Sequence, residues 1–239
     1  MKQSNTPGIF PWFSLLTGIV GFAMRSWLFS LTDRQGLLPQ NHIAGVLPLL
    51  LLAVTMVVYC LWVRKAQAFT VYAHVFPQSV ISALGALAGA LGLGYTAFFQ
   101  KSTGFLQLPL LVLGVLCAAA LLLIALCRFQ GRRPHYLLRS IVTFYLILRT
   151  VVCCRAWGTQ PQLQLYLFPL LASLFLMLAC YQHAELDFRV RNYRWYGFFN
   201  QAALFCCFQC VFGQDWLFYL SMGIWMSTDF CRFSPSEQA

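Results

Sequence analysis

The sequence predicts an all-α fold: one integral membrane domain over residues 1–239, built as a polytopic bundle of transmembrane helices. Of its 239 residues, 60% are hydrophobic and only 9% are charged. Soluble domains are about 45–50% apolar and about 25% charged, so a soluble fold of this length would lack polar residues for its surface. The apolar residues also form continuous runs rather than the alternating pattern of barrel strands, which indicates helices.

Eight apolar runs are candidate membrane spans, each of which needs about 17–25 residues to cross the hydrocarbon core. The runs cover residues 9–31, 45–63, 75–99, 109–129, 137–157, 163–184, 196–212 and 216–230. The last two come from one long apolar tail that is divided at residues 213–215, Gly-Gln-Asp. Eight spans are the favoured interpretation, and seven spans followed by a helix at the membrane interface are the alternative.

The distribution of Lys and Arg predicts the orientation, because cytoplasmic connections carry an excess of cations. Placing the N-terminus in the cytoplasm puts most cations inside: Lys2, Arg64, Lys65, Arg128, Arg132, Arg133, Arg139, Arg189, Arg191 and Arg194. The same topology leaves Arg34, Lys101 and Arg155 outside. An eighth span adds Arg232 to the inner side.

Several classes of function are not favoured by the sequence. The net charge of +10 comes without a polar domain or a basic stripe, so we predict no nucleic-acid partner. Cys207 and Cys210 form a C-x-x-C without a second pair, and His183 and Glu185 form an H-x-E without the P-C-x-x-C of zinc deaminases. We therefore predict no metal site, no cofactor and no enzyme activity.

The most polar stretch, residues 181–195, is interpreted as a juxtamembrane loop at the inner face. Its basic residues would lie against anionic headgroups. Glu185 and Asp187 are expected to pair with the arginines of the same stretch, which are Arg189, Arg191 and Arg194.

Two arginines inside apolar runs, Arg25 and Arg149, are the strongest candidates for a binding site. A cation at membrane depth costs at least about 2.5–3.5 kcal/mol, so it needs a partner or a functional reason. The outer half holds five cations, Arg25, Arg34, Lys101, Arg149 and Arg155, against the carboxylates Asp33 and Asp215. This surplus would suit an anionic ligand, because the planar guanidinium binds carboxylates and phosphates with two hydrogen bonds.

In the predicted site Arg149 is the main anion-binding group, Arg25 the second and Asp215 a competing counter-ion. Arg155 and His42 lie at the same end, His42 at the start of the second helix. The alternative for Arg149 is a structural role, bonded to Asp215 or to backbone carbonyls. The alternative for Arg25 is a side chain that extends outward to the headgroups.

Small residues in the third run predict close helix packing. Gly85, Gly89 and Gly92 recur at helical spacing, which lets a neighbouring helix approach closely. This helix is expected to be central. A hinge or a dimer interface is the functional alternative to packing inside one bundle.

The segment 20–45 carries a resemblance. Arg25-x-Trp27, Asp33-x-x-Gly36-Leu37-Leu38 and His42 before an apolar helix resemble the start of a set of uncharacterised multi-pass membrane proteins of anaerobic Gram-positive bacteria. The resemblance implies a location in the bacterial cytoplasmic membrane. It implies no chemistry.

The sequence favours a small binding or transport protein for an anionic or zwitterionic solute, with the lipid bilayer as its surroundings. Its site would lie between the first, fifth and seventh spans. The first alternative is a non-catalytic scaffold, sensor or subunit that has a protein partner. The second is an enzyme acting on lipid-linked substrates through His42 or the acidic residues of 183–187.

Overall fold

A computed structural model describes seven ranges of the chain: residues 10–31, 43–65, 80–99, 107–157, 166–188, 194–213 and 215–230. Within these ranges the fold is all-helical, which confirms the all-α part of the predicted fold class. The helices are α1 Phe10–Ser30, α2 Ile43–Lys65, α3 Val80–Phe99, α4 Gln107–Phe129, α5 Tyr136–Trp157, α6 Leu167–Phe188, α7 Arg194–Gln209 and α8 Trp216–Phe230. A 3-10 turn, Cys210–Phe212, follows α7.

Four of the described helices, α3 to α6, are long and apolar enough to cross a membrane. Helices α1 and α2 contain shorter apolar segments, Leu15–Ser30 and Val46–Leu61. Helix α7 has 16 residues and α8 has 15, so both are shorter than an ordinary span. The described structure is therefore that of a helical membrane protein, with large apolar side chains such as Leu91 and Phe98 exposed on its outer surface.

Helix α7 is the most central of the described helices, because it packs against α1, α2, α6 and α8. Helix α3 packs chiefly against α4 and α8, and its opposite face is exposed at Leu84, Leu91 and Phe98. The expectation that α3 is central is therefore wrong. Its small residues line only one side of the helix, so only that side allows close approach.

The glycine face of α3 lies against α8. A Cβ atom at Gly89 would stand 3.2 Å from the Cβ of Trp225, and Cβ atoms at Gly85 and Gly92 would overlap side chains of α8. The neighbours across this interface are Thr228 for Gly85, Trp225 for Gly89 and Ser221 for Gly92. These contacts lie within one bundle.

The chain direction alternates through the bundle. Ser82 near the start of α3 contacts Asp229 near the end of α8, and Arg139 near the start of α5 contacts Asp187 near the end of α6. The starts of the odd-numbered helices and the ends of the even-numbered helices therefore meet at one end of the bundle, called here the Asp229 end. The opposite end is called the Asp215 end.

Candidate functional site

The predicted site lies at the Asp215 end and centres on a salt bridge. Arg149 is 1% exposed, and its Nη2 donates to Asp215 Oδ2 at 2.8 Å. Its guanidinium carbon also stands 3.9 Å from the ring centroid of Phe218, a cation–π distance, and Tyr145 lies beside it one turn earlier on α5. We call Tyr145, Arg149, Asp215 and Phe218 the Asp215 cluster. Its positive charge is neutralised by the Asp215 carboxylate and further stabilised by the face of the Phe218 ring.

Asp215 is the accessible member of this cluster. It lies between the 3-10 turn and α8, and its side chain is 23% exposed. Because the carboxylate keeps part of its hydration, a ligand that approaches Arg149 from this end would meet Asp215 first.

Arg25 lies at the same end and is buried, with 5% of its surface exposed. Its guanidinium carbon stands 4.9 Å from the ring centroid of Phe168 on α6 and 5.6 Å from that of Phe29. The alternative that Arg25 extends outward to the headgroups is therefore wrong. The Phe29 ring in turn lies 5.8 Å from the ring of Phe212 in the 3-10 turn, which places Arg25 at the same end of the bundle as Asp215.

Of the other two residues of the predicted site, Arg155 is described and His42 is not. Arg155 is exposed, six residues beyond Arg149 on α5. His42 lies outside the described residues, as do Asp33 and Gly36 of the same connection. The structure thus brings together Arg149 and Asp215, with Arg25 close by.

A second and larger charge cluster, which the sequence analysis missed, occupies the Asp229 end. Arg139 is fully buried on α5, and its Nε donates to Asp187 Oδ2 at 2.5 Å. Its Nη1 also lies 3.5 Å from Asp229 Oδ2, so one arginine lies between two aspartates. Ser82 donates its hydroxyl to the other oxygen of Asp229.

The histidine of this cluster, His183, lies between an arginine and an aspartate. Arg128 Nη2 lies 3.3 Å from His183 Nε2, and His183 Nδ1 lies 3.7 Å from Asp229 Oδ2. Arginine can only donate, so Nε2 must accept and the ring proton belongs on Nδ1, facing the carboxylate. This arrangement favours the neutral imidazole, because a proton on Nε2 would face the guanidinium.

Two further polar side chains come from α7. Asn200 Nδ2 donates to the Tyr196 hydroxyl at 2.8 Å, and the Tyr196 ring packs against the His183 ring with centroids 4.5 Å apart. We call the whole set the Asp229 cluster: Ser82, Arg128, Arg139, His183, Asp187, Tyr196, Asn200 and Asp229. It draws on every helix from α3 to α8, and two arginines balance two aspartates when the histidine is neutral.

Local structure places these residues at one level of the bundle. Helix α4 ends at Phe129, and two residues later Gly131 has φ 69°, the left-handed conformation that glycine adopts readily after a helix. The short connection that follows puts Arg128, at the end of α4, next to His183 and Arg139, at the start of α5, next to Asp187 and Asp229. Both arginines therefore face the ends of α6 and α8.

The expectation that Asp187 pairs with arginines of a juxtamembrane loop is wrong. Helix α6 continues to Phe188, so Asp187 is helical and points into the bundle, where it binds Arg139. Residues 189–193, including Arg189 and Arg191, lie outside the described part. The spacing of His183 and Asp187, four residues apart on one helix face, is the signal that could have revealed a buried site.

Comparison with protein-family models, with curated proteins and with solved structures gives no match. Within the described ranges, no three His, Cys, Asp or Glu side chains are grouped so that they could hold a metal ion.

Proposed function

We propose that the protein is a carrier of a small anionic or zwitterionic solute, with eight spans and a cytoplasmic N-terminus in a bacterial cytoplasmic membrane. The observation that supports this most directly is the placement of the salt bridges. Arg149 on α5 pairs with Asp215 at the start of α8, and Arg139 on α5 lies close to Asp229 at the end of α8. The same two helices are thus connected by charges at both ends of the bundle.

The spacing of these pairs suits a carrier. Ten residues separate Arg139 from Arg149 on α5, which is about 15 Å along the helix axis. In alternating access, one part of a bundle rocks against another around a central site, so that each end opens in turn. A salt bridge at each end of one helix pair can close its own end and break when that end opens.

Arg149 is the group best placed to bind the solute. Its planar fork matches a carboxylate or a phosphate, and the partly exposed Asp215 carboxylate occupies the position that a solute carboxylate would take. A zwitterion would replace both members of the pair: its anion would bind Arg149 and its cation would bind Asp215. Such an exchange leaves no charge unpaired inside the bundle, where an unpaired charge is costly.

The proposed topology agrees with the cations at the Asp229 end. Arg132 and Arg133 lie exposed in the α4–α5 connection, and Arg133 Nη2 donates to the carbonyl of Leu186 at 2.8 Å. A cytoplasmic position for this end puts both in the compartment that favours Lys and Arg. Under this topology the Asp215 end, with Arg149, faces the outside.

The test is ligand-dependent stabilisation of the purified full-length protein in detergent. Acetate, inorganic phosphate and glycine serve as a carboxylate, a phosphate and a zwitterion. At one hundred times its dissociation constant a ligand adds about 2.7 kcal/mol, which a thermal shift resolves readily. We expect at least one of the three to raise the melting temperature, and Arg149→Gln to remove that rise.

Arg155→Gln is the matched control, because Arg155 is an exposed arginine on the same helix. It should keep the full ligand-dependent shift. A wild-type protein that responds to none of the three probes, or an Arg149→Gln variant that still responds, would contradict the proposal.

A second candidate function is that of a non-catalytic scaffold, sensor or subunit of a complex. It is supported by the burial of Arg149 and by its salt bridge to Asp215. A guanidinium that is 1% exposed and already bonded to a carboxylate is also a suitable structural connection. In this case the double variant Arg149→Met with Asp215→Leu keeps its stability and its function, and a stoichiometric protein partner co-purifies. The carrier proposal instead expects that double variant to lose solute binding.

A further inference from the structure

A cleft lies between α1, α2 and α7, away from both charge clusters. Its enclosed part has room for about one water-sized group; together with its open mouth the cleft holds about 220 Å³. Its apolar walls include Met56 and Phe205, and its polar lining includes Thr17, Thr55 and Gln201. Such a space, with apolar walls and a few converging polar groups, suits the polar head of a small molecule rather than the whole molecule.

The polar groups that line this cleft differ in whether their hydrogen-bonding capacity is already used. Gln201 is 6% exposed, and its Nε2 has no hydrogen-bond partner among the described residues. Thr17 donates its hydroxyl to the carbonyl of Phe13 at 2.9 Å, and Thr55 donates to that of Leu52 at 2.7 Å. A hydroxyl has one proton, so both threonines can only accept from a ligand, while the Gln201 amide can donate.

The cleft lies near the middle of its helices and faces the outer surface of the bundle. Thr17 is the eighth of 21 residues in α1, and Gln201 is the eighth of 16 in α7. The neighbours of the two threonines on the outer side, Leu16 and Val54, are 60% and 58% exposed. In a membrane these residues meet acyl chains, so the cleft opens toward lipid.

We infer that this cleft binds the hydroxyl group of a lipophilic alcohol that enters from the bilayer. A hydroxyl accepts one hydrogen bond from Gln201 and donates one to Thr17 or Thr55, which matches the groups present. It matches the amide in either orientation, since a hydroxyl both donates and accepts. The apolar walls then contact the hydrocarbon part of the ligand. This inference does not depend on the carrier proposal.

The experiment is photolabelling of the full chain in lipid nanodiscs. The probe is a long-chain primary alcohol that carries a diazirine, and its methyl ether is the matched probe that cannot donate. We expect the alcohol to label peptides of α1, α2 and α7 about fivefold more than the ether does, the ratio that one lost hydrogen bond of about 1 kcal/mol produces.

Gln201→Leu should reduce this labelling about fivefold, for the same reason. Gln209→Leu is the control: Gln209 is a fully buried glutamine on the same helix and does not line the cleft. If Gln201→Leu fails to fold, the double variant Thr17→Val with Thr55→Val removes both acceptors at nearly constant volume and should also weaken labelling. Equal labelling by alcohol and ether, equal labelling of wild type and Gln201→Leu, or label spread evenly over all helices would overturn the inference.

Discussion

Both ends of the bundle hold a salt bridge between an arginine and an aspartate, but the two differ in burial and in the number of carboxylates. At the Asp215 end Arg149 has one described carboxylate partner, which is 23% exposed, and an aromatic face. At the Asp229 end Arg139 lies between two carboxylates that are almost wholly buried. The carboxylate of the first pair is partly exposed, whereas breaking the second pair disturbs several helices together.

The difference shows that burial of the whole cluster, more than the salt bridge itself, decides how costly a substitution is. Removing one partner of a buried ion pair leaves an uncompensated charge in a medium of low dielectric constant. A carboxylate that reaches water or headgroups instead regains its hydration. Substitutions at the two arginines of α5 therefore give a direct comparison.

The largest effect is expected for Arg139→Met. The substitution leaves Asp187 and Asp229 facing each other without the arginine between them, so the free energy of unfolding should fall by about 3–5 kcal/mol. The measurement is unfolding of the purified protein in mixed micelles with increasing SDS, followed by circular dichroism.

Arg155→Met is the control for this substitution, because it removes an exposed arginine from the same helix. Its effect should stay within about 0.5 kcal/mol. A loss at Arg139 as small as that at Arg155 would mean that the Asp229 cluster does not stabilise the bundle.

A smaller effect is expected for Arg149→Met in the same assay. Asp215 can turn toward solvent when its partner is lost, so the cost should be about 1.5–3 kcal/mol, the range of a hydrogen bond to a charged group. The loss in free energy of unfolding should therefore be smaller for Arg149→Met than for Arg139→Met. Equal losses at both arginines would contradict the distinction between a partly exposed pair and a fully buried one.

The smallest of the three losses in free energy of unfolding is expected for Gly85→Ala. This substitution changes the packing of α3 against α8 at the Asp229 end. The new methyl group would overlap the Thr228 side chain next to Asp229, so α3 must shift or Thr228 must rotate, at a cost of about 1–2 kcal/mol. Gly94→Ala is the control, because its Cβ would lie 3.9 Å from the Ala118 Cβ, an ordinary contact. A Gly85→Ala variant as stable as Gly94→Ala would show that α8 approaches α3 less closely than described.

The sequence predicted the all-α membrane fold because composition and apolar run length depend only on local residues. It also raised Arg149 and Asp215 as a pair, since a buried cation needs a counter-charge and few carboxylates were available. The Asp229 cluster was not predicted, because Ser82, Arg139 and Asp229 meet only through the packing of helices far apart in the chain. The end of α6 decided this outcome: four more helical residues turned Asp187 from a loop residue into a buried one.

The central position of α7 has a consequence for biosynthesis. Helices α1 and α2 pack chiefly on each other and on α7, yet 128 residues separate the end of α2 at Lys65 from the start of α7 at Arg194. At about 5–20 residues per second, the ribosome needs roughly 6–26 seconds to supply that partner. During this interval α1 and α2 lie in the membrane without α7, their main neighbour. Chains that terminate before residue 194 should therefore expose α1 and α2 to quality-control proteases.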